Sequence, residues 1–212
     1  MTDKVINLDI DKEIEYYEQD LNDAIRHGMC VSRLSSELAR ELGLSEDEIH
    51  KIAVAGMIHD IGKLRITPYI YGRGNSMKIE EMRYVRLHAK LGADIVKKEG
   101  YGDDIADIIL YHHENYDGSG YPFCLQGDEI PIGARIIRVC DVLTEEEKAY
   151  IIDRDRAYRK AFEPKTALLM VIDEVRHFDM NVFLAFQRII NTTDILDEVQ
   201  SILKGSYKSQ IS

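Results

Sequence analysis

Apolar residues along most of this chain recur every three or four positions, which is the spacing of an α-helix with one buried face. The first such stripe covers residues 22–42, and Gly43 is suited to end that helix. Ser45 and Glu48 then have the spacing of a capping box, which predicts a second helix running toward His59.

Later stripes predict a series of further helices. They cover residues 79–97, 103–113, 132 into the 140s, about 165–176, 180–190 and 192–204. Glycine and proline interrupt the pattern at 64–77 and 115–130, so both segments are predicted to be loops. We find no alternating run of β-branched residues. The fold class is therefore predicted to be all-α, as one bundle of nine or ten helices.

Domain organisation follows from the same pattern. Residues 1–21 are polar and acidic and are predicted to form an N-terminal leader or an extra helix. Residues 22–205 are predicted to form one domain, since 212 residues with 45% hydrophobic content can build a sizeable core. The N-terminus lacks a basic segment followed by an apolar one, so no secretory signal is expected.

Charge and cysteine content narrow the classes of function. The formal net charge of −11 argues against a partner such as long nucleic acid, whose phosphates need lysine and arginine. The longest apolar run, residues 52–58, is far too short for a membrane span. Cys30, Cys124 and Cys140 form no close pair and are expected to be free thiols in a reducing compartment. A cytoplasmic location is therefore expected.

The sharpest local feature is the pair His59-Asp60, which ends an inward-facing stripe. An imidazole beside a carboxylate can bind one divalent metal or bridge two. Gly62 is expected to permit a sharp turn, and Lys63 would then offer a cation to a phosphate. The alternative is a histidine that caps a helix C-terminus, where a positive ring suits the dipole.

A second pair, His112-His113, closes a predicted helix and is followed by Glu114. Adjacent side chains on a helix point about 100° apart, so the two rings could serve neighbouring metals. The alternative is that one ring is buried and the other is exposed.

Four more candidates lie on apolar stripes: Asp23, His27, His88 and Asp141. Each has a structural alternative when taken singly. Asp23 suits the first turn of a helix, and Asp141 could pair with Arg138. His50 and His177, in contrast, are predicted not to be ligands.

Taken jointly, these residues favour a metal centre. Burying so many unpaired polar groups on separate helices would cost several kcal/mol. Bound metal ions would satisfy all of them at once. The candidate ligands exceed what one ion needs, so we expect two or three divalent ions.

The motifs resemble those of a known family. His59-Asp60-Ile61-Gly62-Lys63 looks like the signature of the HD phosphohydrolases. His112-His113-Glu114 with the following 117–122 segment, which ends in Gly-Tyr-Pro, resembles the HD-GYP subfamily. Residues 156–161 and 177–179 are similar to two later motifs of that subfamily. The likeness covers about residues 22–190.

This resemblance implies an HD-domain helical bundle with additional C-terminal helices. It also implies hydrolysis of cyclic di-GMP to a linear dinucleotide or GMP by an iron or manganese centre; zinc, nickel and magnesium are alternatives. The implied metal ligands are Asp23, His27, His59, Asp60, His88, His112, His113 and Asp141. Asp60 and Lys63 would be catalytic, and Lys63, Tyr121, Arg156 and Arg159 would bind substrate.

Three departures from the family pattern leave alternatives open. The segment 142–155 is longer than usual, Ala157 replaces a proline, and Asp23 stands where a glutamate holds a third metal. The chain could instead hydrolyse another nucleotide, act as a weakly catalytic binding or signalling module, or be a helical scaffold. A homodimer or a signalling-protein partner is left open.

Overall fold

The structure is a computed structural model that describes residues 10–70, 85–144, 174–192 and 194–203, with side chains described at 21–66, 85–142, 144, 174–191 and 194–203. The described residues form α-helices and two short 3-10 turns. The helices are α1 (Ile10–Glu41), α2 (Glu46–Ile58), α3 (Lys63–Ile70), α4 (His88–Lys98), α5 (Asp103–Tyr111), α6 (Ile132–Thr144), α7 (Met180–Thr192) and α8 (Ile195–Leu203). The 3-10 turns are Gly127–Glu129 and Val175–His177.

The all-α prediction is confirmed. Within the described ranges, the β-type pairing is a single isolated bridge between Asp117 and Gln126. None of the helices described is both long enough and apolar enough to cross a bilayer. The helix predicted at 165–176 lies mostly outside the described residues.

Helix α1 starts earlier than its apolar stripe indicates. It is continuous over 32 residues from Ile10, so it crosses the predicted boundary between residues 21 and 22. A helix in the N-terminal segment was one of the two predicted alternatives, and the structure shows it from Ile10 onward as part of α1 rather than as a separate element.

Helix α2 begins as the capping box predicts. The Ser45 hydroxyl accepts the Glu48 amide at 3.4 Å, and the Glu48 carboxylate accepts the Ser45 amide at 2.9 Å. These bonds satisfy two amides that have no partner inside the helix.

The loop predicted at 64–77 is wrong for its first part, because residues up to Ile70 form helix α3. Ile66 is buried, and α3 packs against α4. This tertiary contact outweighs the helix-breaking tendency of Pro68. Residues 71–84 lie outside the described residues.

Helix α1 lies at the centre of the bundle, packed against α2, α6, α7 and α8. Its apolar face buries Val31, Leu34 and Leu38 completely, and Phe186 of α7 is equally buried. This core holds in place the helices that carry the polar candidates.

Candidate metal centre

Seven of the eight predicted metal ligands converge inside the bundle. They are His27 of α1, His59 and Asp60 after α2, His88 at the start of α4, His112 and His113 after α5, and Asp141 of α6. Their ligand atoms fall into three overlapping groups whose members lie within 4.8 Å of one another.

A close backbone approach sets up this convergence. A Cβ atom on Gly62 would collide with the main-chain carbonyl of His88 and press on Gly92. Glycine is therefore needed where the end of α2 meets α4, and this brings Asp60 beside His88. The chain does turn at residues 59–62, but Gly62 is not among the residues with positive φ, so the close approach to α4 is what requires a glycine here.

The first group joins three helices. Nε2 of His27 lies 3.2 Å from Nε2 of His59 and 3.1 Å from Oδ1 of Asp141. His59 Nε2 lies 3.4 Å from the same Asp141 oxygen. The residues are separated widely in sequence, so the site depends on the assembled bundle.

The second group consists of His88, His112 and His113. Nε2 of His88 lies 3.2 Å from Nε2 of His112 and 3.1 Å from Nε2 of His113. Both rings of the adjacent pair are buried and face His88, so the alternative of one buried and one exposed ring is wrong. His112 also belongs to a group with His59 and Asp60, so it lies between the two sets.

Asp60 lies between the groups and presents one oxygen to each. Its Oδ2 is 3.4 Å from Nε2 of His59, and its Oδ1 is 3.3 Å from Nε2 of His88. Oδ1 is buried and has no hydrogen-bond partner among the residues that the structure describes. A buried carboxylate oxygen without a hydrogen bond is costly, and a cation would satisfy it.

The hydrogen bonds of three histidines fix which ring nitrogen faces the cluster. Nδ1 of His59, His88 and His112 lies 2.8, 2.6 and 2.6 Å from the carbonyl oxygen three residues earlier. A carbonyl oxygen only accepts, so Nδ1 carries the proton in each ring. In neutral rings the facing Nε2 atoms then offer only lone pairs, which cannot hydrogen-bond each other but can bind a cation.

Burial controls the protonation of the second group. Loss of solvent, reinforced by neighbouring histidines, lowers the pKa of His112 to about 3 and the pKa of His113 well below its ordinary value. Burial likewise lowers the pKa of His88. These rings are therefore neutral near pH 7, which is the form that binds metal.

The protonation of the first group is governed by Asp141 and by the neighbouring Asp60. Burial opposes ionisation of Asp60, yet Lys63 and the nearby histidines lower its pKa well below the ordinary value. Burial opposes ionisation of Asp141 too, and hydrogen bonds from His27 and His59 lower its pKa. Burial would lower the pKa of His59, but the two carboxylates raise it to about 9. A proton and a metal would compete for that ring.

The donor spacing fits divalent ions. Nitrogen and oxygen donors about 2.1 Å from an ion, at angles of about 90–110°, lie about 3.0–3.4 Å apart. The donor pairs described above lie 3.1–3.4 Å apart within each group. Imidazole with carboxylate suits zinc, iron, manganese and nickel.

Glu114 organises the loop that follows the histidine pair, a role that sequence reasoning missed. This buried carboxylate accepts the amide of Phe123 at 2.7 Å and the amide of Leu125 at 3.1 Å. A carboxylate after two histidines was visible in the sequence, but its partners nine and eleven residues away were not.

The same loop places Tyr121 beside the cluster. A Cβ atom on Gly120 would collide with the backbone of Glu114 and Asn115, so the loop folds closely over the end of α5. The Tyr121 amide donates to the His113 carbonyl at 3.1 Å, and its ring stacks on His113 with centroids 4.7 Å apart.

Arg138 does not pair with Asp141, as one alternative proposed. It donates instead to Oδ1 of Asn115 and to Oε2 of Glu174, both at 2.9 Å. The groups that surround Asp141 are therefore histidines, which strengthens the metal interpretation of this carboxylate.

The remaining candidates lie apart from the cluster or outside the described residues. Asp23 is 3.3 Å from Arg26, and the candidate groups found among the described residues do not include it. Arg156, Arg159 and most of the long 142–155 segment lie outside the described residues. His50 is exposed and His177 lies near Asp117; neither belongs to a candidate group.

A helical bundle that encloses a cluster of histidines and aspartates provides a set of donors suited to divalent metal ions. Residues 10–182 match the HD domain family, and the chain belongs to that family. It is 33% identical over 165 residues to a cyclic di-GMP phosphodiesterase of Pseudomonas aeruginosa, covering 77% of this chain and 38% of that protein. It is 30% identical over 167 residues to the 3'3'-cGAMP-specific phosphodiesterase 3 of Vibrio cholerae, and the match covers 78% of this chain and 35% of that protein. The chain thus spans little more than a third of these relatives.

Solved structures show the same fold. A cyclic GMP-AMP-specific phosphodiesterase of Vibrio cholerae matches with a TM-score of 0.65 at 15% identity, covering 88% of this chain and 51% of that one. The HD domain of the L. monocytogenes phosphodiesterase PgpH, in complex with cyclic di-AMP, matches with a TM-score of 0.54 at 20% identity. The match covers 90% of this chain and 94% of that one.

Proposed function

We propose that this chain is a metal-dependent phosphodiesterase of the HD-GYP type that hydrolyses a cyclic dinucleotide. The proposed substrate is cyclic di-GMP, and the product is the linear dinucleotide or GMP. The observation that carries this proposal is the convergence of buried imidazoles and carboxylates whose lone pairs face one another. The names of the curated relatives support the substrate class.

Two ions would share the cluster. His27, His59 and Asp141 would hold one, and His88, His112 and His113 the other, with one oxygen of Asp60 directed to each. Iron or manganese is proposed, and zinc, nickel and magnesium are the alternatives. When bound, such a pair supplies Lewis acidity toward a phosphate and lowers the pKa of water. A third ion would need Asp23 to reach the cluster.

Lys63 is proposed to orient the scissile phosphate. Its Nζ lies 2.8 Å from Oδ2 of Asp60, so it already lies at the edge of the cluster. An ammonium group has three donors, which allows it to bind Asp60 and a phosphate oxygen together. Its charge would offset the negative charge that develops on the phosphate.

Other side chains are proposed to bind the rest of the substrate. Tyr121 presents an aromatic ring next to His113, which suits contact with a ribose or a base. Arg156 and Arg159 are assigned to the phosphates from the family resemblance. A cytoplasmic location and a homodimer or signalling-protein partner stay predictions.

A second candidate substrate is 3'3'-cGAMP. It is favoured by the similarity to phosphodiesterases of Vibrio cholerae that are named for this molecule. It differs from cyclic di-GMP in one base only, so both fit the same metal chemistry.

The test is turnover with measured metal content. The protein is purified without oxygen, loaded with iron or manganese, and incubated with cyclic di-GMP, 3'3'-cGAMP and cyclic di-AMP. We expect about two ions per chain and a linear product. The double variant His59→Ala with Asp60→Ala should lose both. Retention of full metal content and full hydrolysis by this variant would contradict the proposal, and binding without turnover would favour a signalling module.

A further inference from the structure

Arg86 lies beside the metal centre but is absent from the residues assigned above. It precedes His88 by two positions and is exposed. Its guanidinium carbon lies 5.1 Å from the centre of the Tyr121 ring, a cation–π distance. Tyr121 also stacks on His113, so the same aromatic ring contacts both this cation and the histidine cluster.

Arg86 forms no ion pair within the described part of the chain. Among the described residues, Arg86 contacts the Tyr121 ring, and no carboxylate forms an ion pair with it. Other arginines are paired: Arg33 with Glu198, Arg135 with Asp179 and Arg138 with Glu174. In a chain with net charge −11, a guanidinium that has no ion pair among the described residues and lies beside the His/Asp cluster is available to an anion.

The ring contact also suits Arg86 to bind an anion. A guanidinium stacked on an aromatic ring keeps its N–H donors in its own plane, where they can reach a ligand. Paired N–H groups match the oxygens of a phosphate. The exposure of Arg86 leaves these donors open to solvent and therefore to a substrate.

We propose that Arg86 binds the second phosphate of the cyclic dinucleotide, the one that is not cleaved. This inference rests on the proposed function. The scissile phosphate must lie at the ions and Lys63, whereas Arg86 lies against the Tyr121 ring. A cyclic dinucleotide carries two phosphodiesters in one ring, so one can occupy each position. Arg86 would thus favour a dinucleotide over a mononucleotide.

The experiment compares Arg86→Ala and Arg86→Lys with a control, Lys98→Ala. Lys98 is an exposed cation at the far end of α4, about 15 Å along the helix from His88. For Arg86→Ala we expect KM for cyclic di-GMP to rise about 10-fold or more, with kcat and ions per chain unchanged. Arg86→Lys should raise KM about 3-fold or less, because a point charge still attracts phosphate.

Three results would overturn the inference. One is a KM for Arg86→Ala equal to that of Lys98→Ala. Another is an equal loss in Arg86→Lys and Arg86→Ala, which indicates that the planar fork recognises a base. The third is a fall in kcat or metal content at constant KM, which indicates support of the metal centre.

Equilibrium binding separates this inference from the function itself. If the metal-loaded protein binds cyclic di-GMP without cleaving it, the proposed activity fails, and a 10-fold weaker Kd in Arg86→Ala still supports the phosphate contact. If the wild-type protein neither cleaves nor binds any cyclic dinucleotide, both proposals are wrong.

Discussion

Two parts of the interior are built from the same helices with opposite chemistry. On α1, His27 faces the cluster, whereas Cys30 lies against α8 with its thiol 3.7 Å from the carbonyl of Val199. On α6, Asp141 enters the cluster, and its neighbour Cys140 belongs to the apolar core. Each of these two helices therefore contributes side chains to both the cluster and the apolar core, and the direction of each side chain decides its role.

The difference teaches what each interior requires. The apolar part, with Phe186, Leu34 and Leu38, is stabilised by removing hydrocarbon from water. The cluster removes carboxylates and imidazoles from water, which is unfavourable unless they find partners. We therefore expect the apolar part to determine stability and the cluster to determine metal binding and activity.

The largest expected effect comes from Asp60→Asn, which keeps the side-chain shape but removes the charge. Substitution of a residue that merely contacts a metal ligand lowers metal affinity or activity by about 10–100-fold. Because Asp60 offers one oxygen to each group, its loss should lower kcat/KM on the order of 10⁴-fold. Metal content per chain should fall with it, as measured by elemental analysis alongside the turnover assay.

The matched control is Asp94→Asn, which removes an exposed carboxylate from α4. It should retain normal activity and metal content. If Asp60→Asn retained two ions and normal turnover, the cluster would not be the reaction centre. The expectation that the cluster determines metal binding and activity would then be wrong.

The next largest effect concerns the stability that the apolar part of the interior provides. Phe186→Ala should lower the free energy of unfolding by about 3–5 kcal/mol, because it leaves a cavity at a fully buried position. The metal content of the folded fraction should stay unchanged. Urea denaturation measures the stability, and Leu184→Ala, at an exposed position of the same helix, should cost far less. An equal cost for both variants would contradict this division.

Much of the fold could be predicted because helical spacing is a local property. The capping box of Ser45 and Glu48 and the bounds of α2, α5 and α6 follow from residues close in sequence. Helix α3 could not be predicted, since its stability comes from packing against α4. A helix before residue 22 was one predicted alternative, but its continuity with α1 could not be predicted, because a polar composition does not reveal the state of the backbone.

The candidate site was predictable in its residue types but not in its grouping. Histidines and aspartates on apolar stripes mark burial, and that led to the ligand set. The sequence does not show that His112 and His113 face one partner, or that Gly62 makes room for the carbonyl of His88. Those facts depend on how helices meet. The sequence likewise gave no reason to select Arg86, which becomes notable only through its contact with Tyr121.

The smallest expected effect concerns the apolar interior at alkaline pH. Burial raises the pKa of the Cys30 thiol from 9.0 to about 12. Between these values the unfolded chain has released the proton and the folded chain has not, so stability is retained below pH 9 and is lost as pH rises. At pH 10 the loss from Cys30 should be about 1 kcal/mol. Cys30→Ala should reduce this slope in urea titrations at pH 8 and pH 10, whereas replacing the exposed Cys124 should not. If the free energy of unfolding fell equally with pH in wild type and Cys30→Ala, water would reach Cys30 in the folded protein. The apolar region would then be more accessible to solvent than its packing indicates.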